Sequence, residues 1–325
     1  MRTTEACEEP PDKMDSSDYA SLPYPIIMFV QGVVSLLING LLILSIISSA
    51  SHRVRKQYTA VVGVCIAEIL LAISFLDISI NWVIQLYSNY IPAANRETFQ
   101  CLVAHYNIFF AVSYQFIGFT SLLIALDRFF VEFYPKLYSK LSITDIGIAI
   151  VTCFILALVP LLAALNFSRT ARLDYYSNRP YHCMALDSIS DTISPFFVLV
   201  RIVTISLAIL LGLFLFCIHK QKDVKLFKMT AKVKTVSVTS VNDTTTSHHR
   251  SKFKNSVVGV AMATSVLFLV IPDVITMIRE FEQSDVFLVV YLLNQIRSWL
   301  NASVYFLKHP NLRCQLLDLW RRWIH

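Results

Sequence analysis

Charge is scarce in this chain of 325 residues: Asp, Glu, Lys and Arg make up 15% of it, against about 25% in soluble domains. So little polar surface cannot keep a chain of this length in water. With 55% hydrophobic residues and a mean hydropathy of +0.58, lipid is expected to be part of its solvent. Glycine is scarce too, at seven residues. There is no G-x-S-x-G, no phosphate-binding loop and no H-E-x-x-H, so neither an enzyme nor a metal site is expected, and no cofactor is implied. No internal repeat of the kind common in transporters is present. The first 20 residues, MRTTEACEEPPDKMDSSDYA, are acidic and polar with no apolar core. A cleavable signal peptide is therefore not expected, and the first apolar segment should direct insertion.

What the chain does have is apolar length. A helix needs about 20 mostly apolar residues to cross hydrocarbon. Such stretches recur at 24–49, 58–86, 101–131, 143–165, 192–218, 255–278 and 285–307. The expected fold is an all-α membrane protein: a tail at 1–23, a seven-transmembrane helix bundle at 24–307, and a C-terminal segment at 308–325. Basic residues set the orientation. Arg53, Arg55 and Lys56 follow the first span, Lys136 and Lys140 the third, and nine Lys and Arg from Lys220 to Lys254 the fifth. The N-terminus carries six acids against Arg2 and Lys13. It is expected outside, with the basic loops and the C-terminus in the cytoplasm of a multi-pass plasma-membrane protein. The net charge of +6 is thus topological, and no nucleic-acid partner is expected.

Residues 219–254 have no apolar period and contain TVSVTSVNDTTTSHH, which reads as a flexible cytoplasmic loop. After Pro310, Leu312, Leu316, Leu319, Trp320 and Trp323 recur at helical spacing with Arg313, Arg321 and Arg322 elsewhere on the wheel. That predicts a short amphipathic helix on the inner leaflet. Cys65, Cys153 and Cys217 fall within apolar runs and read as small hydrophobes, which leaves Cys7, Cys101, Cys183 and Cys314.

The third span ends in SLLIALDRFFVEFYP, where an Asp-Arg pair is costly unless it faces protein or a water-filled cavity. Asp127, Arg128 and Phe129, with Pro135 eight residues after the Asp, resemble the rhodopsin-like (class A) G protein-coupled receptors. Asn39 in the first span, Glu68 29 residues later where that family usually has Asp, Pro160, Pro272, and Asn301 with Tyr305 fall in the family's order. The departures are Ala302 for the Pro of the seventh span, Val270 for the Trp before Pro272, and Ile150 for the Trp of the fourth span. They place the chain in a divergent, orphan or chemoreceptor-like branch.

The resemblance implies a receptor that binds an unidentified extracellular ligand and activates a heterotrimeric G protein as the sixth span swings outward. Asp127, Arg128, Phe129, Pro135 and Tyr305 would form the coupling end. The acid that often restrains the Arg is replaced by Lys252, which implies a weaker inactive state. Asn39, Glu68, Arg297 and Asn301 would form an intramembrane polar core. In the family this acid commonly holds sodium, but Ile117 replaces a helping hydroxyl, so a Glu68–Arg297 pair is expected instead. Asp77, Phe110, Tyr114, Arg201 and Asp273 are candidate ligand contacts, with mutual Arg201–Asp273 pairing as the plainer reading. Phe110 stands where amine receptors carry Asp, and Gln295 where retinal would need a Lys, so neither an amine held there nor light is implied. Cys101 and Cys183 match the family's outer disulfide, with Cys101 two residues early.

Asn166-Phe167-Ser168 is a candidate glycosylation sequon beside the fourth span, and Cys314 a candidate palmitoylation site. The tail after Ser303 has no Ser or Thr. Receptor kinases and arrestin would therefore have to use loop 219–254. The alternative class is a seven-helix transporter or ligand-gated channel.

Overall fold

The computed structural model describes residues 23–48, 56–87, 102–170, 193–233, 264–277 and 284–308, together with Arg321. Regular structure among them is helical throughout. In chain order it runs α1 (Pro23–Ser48), α2 (Lys56–Tyr87), α3 (His105–Phe133), the short α4 (Pro135–Lys140), α5 (Ile143–Thr170) and α6 (Ser194–Val233). A π-helical turn at Val266–Val270 leads into α7 (Ile271–Met277), and α8 (Ser284–Lys308) completes the order. Five of these, α1, α2, α3, α5 and α6, are long and apolar enough to cross a membrane. In lipid a helix satisfies its own backbone, so apolar runs of this length have no better conformation. α7 is described over a short stretch only, and α8 carries Asp285, Asn294, Gln295 and Arg297 within its length.

Local chemistry sets the breaks. Pro135 disfavours the helical basin for the residue before it. Tyr134 accordingly leaves the helix at φ −128° and ψ 55°, while its N–H still closes on Phe130 O at 3.0 Å. α5 begins with reciprocal capping. The Asp145 N–H donates to Ser142 Oγ (3.1 Å), and the Ser142 N–H and hydroxyl donate to Asp145 Oδ2 (2.6 and 2.9 Å). The π turn precedes Pro272, whose ring crowds the carbonyl four residues back, that of Phe268. Widening the helix there, with the Ile271 N–H closing on Val266 O, relieves the clash.

One boundary differs from the sequence expectation. Loop 219–254 is expected to lack structure from its start, yet α6 continues to Val233. His219–Val233 reads HKQKDVKLFKMTAKV, without Gly or Pro and rich in Lys, Leu, Met and Ala. Helix propensity carries it on after the apolar run has ended.

α3 is the axis of the packing: it lies against α2, α5 and α6, while α1 packs on α2 and α8, and α8 in turn on the π turn and α7. Its buried face, with Phe110, Tyr114, Phe116 and Ile117, meets Phe75, Phe197 and Leu269 in one core. The opposite faces of α1, α5 and α6 expose Leu37, Leu44, Ile148, Ile155, Leu162 and Leu210, apolar surface of the kind a helix presents to lipid.

Gly118 fixes how closely α3 and α6 approach. A Cβ there would stand 2.5 Å from Thr204 Oγ1, which is itself held by the α6 carbonyls of Val200 and Arg201. Gly118→Ala is expected to cost about 1–3 kcal/mol by overpacking. In thermal unfolding of the purified protein, Thr204→Ala should restore most of that loss when added to Gly118→Ala.

Candidate functional site

Polar side chains inside an apolar bundle must find one another, because no water is at hand. Here they gather on one face of α8. Arg297 Nη1 donates to Glu68 Oε1 of α2 at 3.0 Å, and Arg297 Nη2 lies 3.4 Å from Ser121 Oγ of α3. One residue on, Ser298 accepts from Asn39 Nδ2 of α1 at 3.0 Å. Asn39 donates as well to Ser35 O at 2.9 Å. The Ser35 hydroxyl donates to Gln295 and accepts from Trp299 Nε1 at 2.8 Å. Glu68, Arg297, Asn39, Ser298 and Gln295 are all buried. A buried ion pair stabilises little relative to apolar replacement, but losing one partner strands the other charge.

A second pair lies further along the same bundle. Arg201 of α6 is 1% exposed and Asp273 of α7 is 0% exposed, with Arg201 Nε 3.3 Å from Asp273 Oδ2. The Tyr114 hydroxyl of α3 donates to Asp273 Oδ1 at 2.6 Å, and the Arg201 guanidinium carbon sits 3.5 Å from the centroid of the Tyr114 ring. Arg201 Nη2 donates to Asn294 Oδ1. Asn294 is one turn from Arg297 on α8, so this helix links the two pairs. Each carboxylate is also within electrostatic reach of the other pair's arginine. Phe110 stacks on Tyr114 at 5.4 Å between centroids, and Tyr114 on Phe197 at 5.6 Å, which completes an aromatic wall.

The third cluster closes the end of α3. Asp127 is buried and accepts from the Tyr138 hydroxyl of α4 at 2.8 Å, whereas Arg128 is 45% exposed with its Nε 4.0 Å from Asp127 Oδ2. Partial burial, then the adjacent Asp127 carboxylate, push the Tyr138 phenol up from its ordinary range. Phe129 packs on Phe130, Phe133 and Tyr134, and Phe133 stacks on Phe214 of α6 at 5.6 Å. Pro135 opens α4 and so carries Tyr138 to Asp127.

The sequence-derived residues fall into these three groups, and Asp77 and Asn301 stand apart from them. Asp77 does not join Arg201 and Asp273. It is held at the far end of α2 by Asn81 Nδ2 (2.9 Å) and by His105 Nε2 of α3 (2.6 Å). Asn301 is half-buried and makes no side-chain hydrogen bond to the described residues; Ser298, one turn earlier, bonds Asn39 instead. Asn166 lies exposed within α5, which continues through its sequon to Thr170. Cys101, Cys183, Cys314, Lys252, the Tyr305 side chain and the tail helix lie outside the described residues. Tyr138, Asn294, Ser298, Ser35 and Ser121 were missed. A usable signal existed for α8, where Asn294, Gln295, Arg297 and Ser298 recur on neighbouring turns of an apolar segment.

No group of three or more His, Cys, Asp or Glu among the described residues could hold a metal ion. Compared with protein-family models and with curated protein sequences, the chain matches none.

Breaking the Glu68–Arg297 pair from one side should be costly. Arg297→Met is expected to destabilise the protein by about 3–5 kcal/mol, and adding Glu68→Leu should recover much of it. Thermal unfolding in detergent measures both. Because Arg297 already neutralises Glu68, exchanging sodium for choline should leave the unfolding midpoint unchanged.

Proposed function

We propose that the chain is a seven-span receptor that binds an extracellular ligand and activates a heterotrimeric G protein, in the manner of the rhodopsin-like class. The observation that carries this is the end of α3. Asp127 is buried and occupied by Tyr138, while Arg128 beside it is 45% exposed, which suits the reception of a partner's helix. α3 contacts α2, α5 and α6, so displacement of the residues around Tyr114 is transmitted along one rigid element to Arg128. The π turn before Pro272 supplies a deformable joint next to Asp273, as outward movement of the sixth span requires. Five helices are long and apolar enough to cross a membrane, and on this reading α7 with its π turn and α8 belong to the remaining two spans.

Buried charges also mark ion pathways, which favours a transporter or channel as the second reading. Arg201 with Asp273 and Arg297 with Glu68 are, however, charge-balanced and held by neutral hydrogen bonds, which suits a fixed scaffold better than a path. Kinase and arrestin regulation through loop 219–254 follows from the receptor reading.

Stimulated nucleotide exchange on purified G protein tests it. The full chain should accelerate exchange even without added ligand, because Lys252 cannot restrain Arg128, and Arg128→Ala should lower the rate at least ~10-fold. Ligand-gated current without any G protein would replace this reading by the channel. Deleting residues 235–247 should abolish agonist-stimulated phosphorylation in cells while leaving exchange intact.

A further inference from the structure

Arg201 is surrounded, but not saturated. A guanidinium has five N–H donors and no acceptor. Nη2 is taken by Asn294, Nε lies beside Asp273, and the ring of Tyr114 covers one face. Among the described residues Nη1 has no hydrogen-bond acceptor, in a residue 1% exposed. Gln115 of α3 donates through Nε2 to Phe197 O at 2.7 Å, one turn from Arg201 on α6, while its Oε1 is also buried with no partner among the described residues. A buried donor left unmet costs more than most single contacts return.

The charges around this donor are already balanced. Asp273 answers Arg201, and the Tyr114 hydroxyl occupies its other oxygen. A ligand amine or carboxylate entering here would leave one buried charge uncompensated in a low-dielectric bundle, which is expensive. A neutral acceptor carries no such penalty. The remaining surroundings, Phe110, Tyr114 and Phe197, are aromatic and apolar. We infer that the ligand is an uncharged, mainly apolar molecule with a carbonyl oxygen, held by Arg201 Nη1 against the Tyr114–Phe197 stack. This rests on reading the chain as a ligand-binding receptor and names the ligand class of that receptor.

The test uses one ten-carbon skeleton in five forms: 2-decanone, methyl decanoate, decanoic acid, decylamine and decane. Binding is read as a rise in the unfolding midpoint of the full chain in lipid nanodiscs, and signalling as nucleotide exchange on added G protein. The ketone and the ester should raise the midpoint, while decane, which partitions into the bilayer equally, should not. Arg201→Lys keeps the charge facing Asp273 but removes the forked donor. It should weaken ketone binding about 10- to 100-fold. If Arg201→Lys does not fold, Gln115→Leu with the native Arg201 tests the neighbouring contact, and unchanged selectivity for the ketone over decane is then expected. Loss of that selectivity in Gln115→Leu would overturn the assignment to Arg201. Stabilisation by the acid or amine at least equal to that by the ketone, or by no member of the series, overturns the inference. Stabilisation by the ketone without nucleotide exchange upholds the ligand class and removes the receptor reading.

Discussion

Two guanidinium groups buried in a bundle of Leu, Ile, Val and Phe can exist only if carboxylates meet them, and the arrangement of the helices follows from that requirement. Glu68 must stand on α2 opposite Arg297 on α8, and Asp273 on α7 opposite Arg201 on α6. Because burying each ion costs several kcal/mol, these pairs tolerate few alternative registers. Apolar packing alone would allow a helix to rotate or slide among similar Leu and Ile contacts. The pairs select one arrangement, and Asn294, which accepts from Arg201 one turn before Arg297, ties both to α8.

α3 has a different part in the same design. It carries no charge in its buried middle but supplies a hydroxyl, an amide and aromatic faces: Tyr114 to Asp273, Gln115 to the Phe197 carbonyl, and Ser121 to Arg297. Each is a neutral group satisfying a charge or a carbonyl on another helix, so α3 touches both ion pairs without adding to their charge. Gly118 lies between these contacts and lets α6 come close enough for them to form.

How far the sequence foretold this varies by residue. Five of the seven expected spans stand as helices long and apolar enough to cross a membrane, because apolar length is a property of a contiguous segment. The sequence put Glu68 with Arg297 and weighed Arg201 with Asp273, since an isolated charge in a membrane segment demands a partner, and the structure has these groups 3.0 and 3.3 Å apart. Neutral polar residues gave no comparable demand. Ser35, Asn294 and Ser298 could each have bonded their own helix backbone, so only the packed bundle shows which partner they take. Asp77 looked equivalent to Asp273 in one dimension, but its rotation on α2 turns it to His105. Tyr138 lies in a polar six-residue segment whose short helix is positioned by the turn at Tyr134, a tertiary fact with no periodic trace.

The continuation of α6 to Val233 gives the protein a rod. From His219 to Val233 the helix extends about 22 Å beyond the apolar run that ends at Ile218. A rod converts rotation into travel: tilting α6 by about 10° where the apolar run ends would sweep its tip through about 4 Å. The contacts that set that tilt, Phe133 on Phe214 and Gly118 on Thr204, thus govern from within the bundle how far a body docked at the tip is carried.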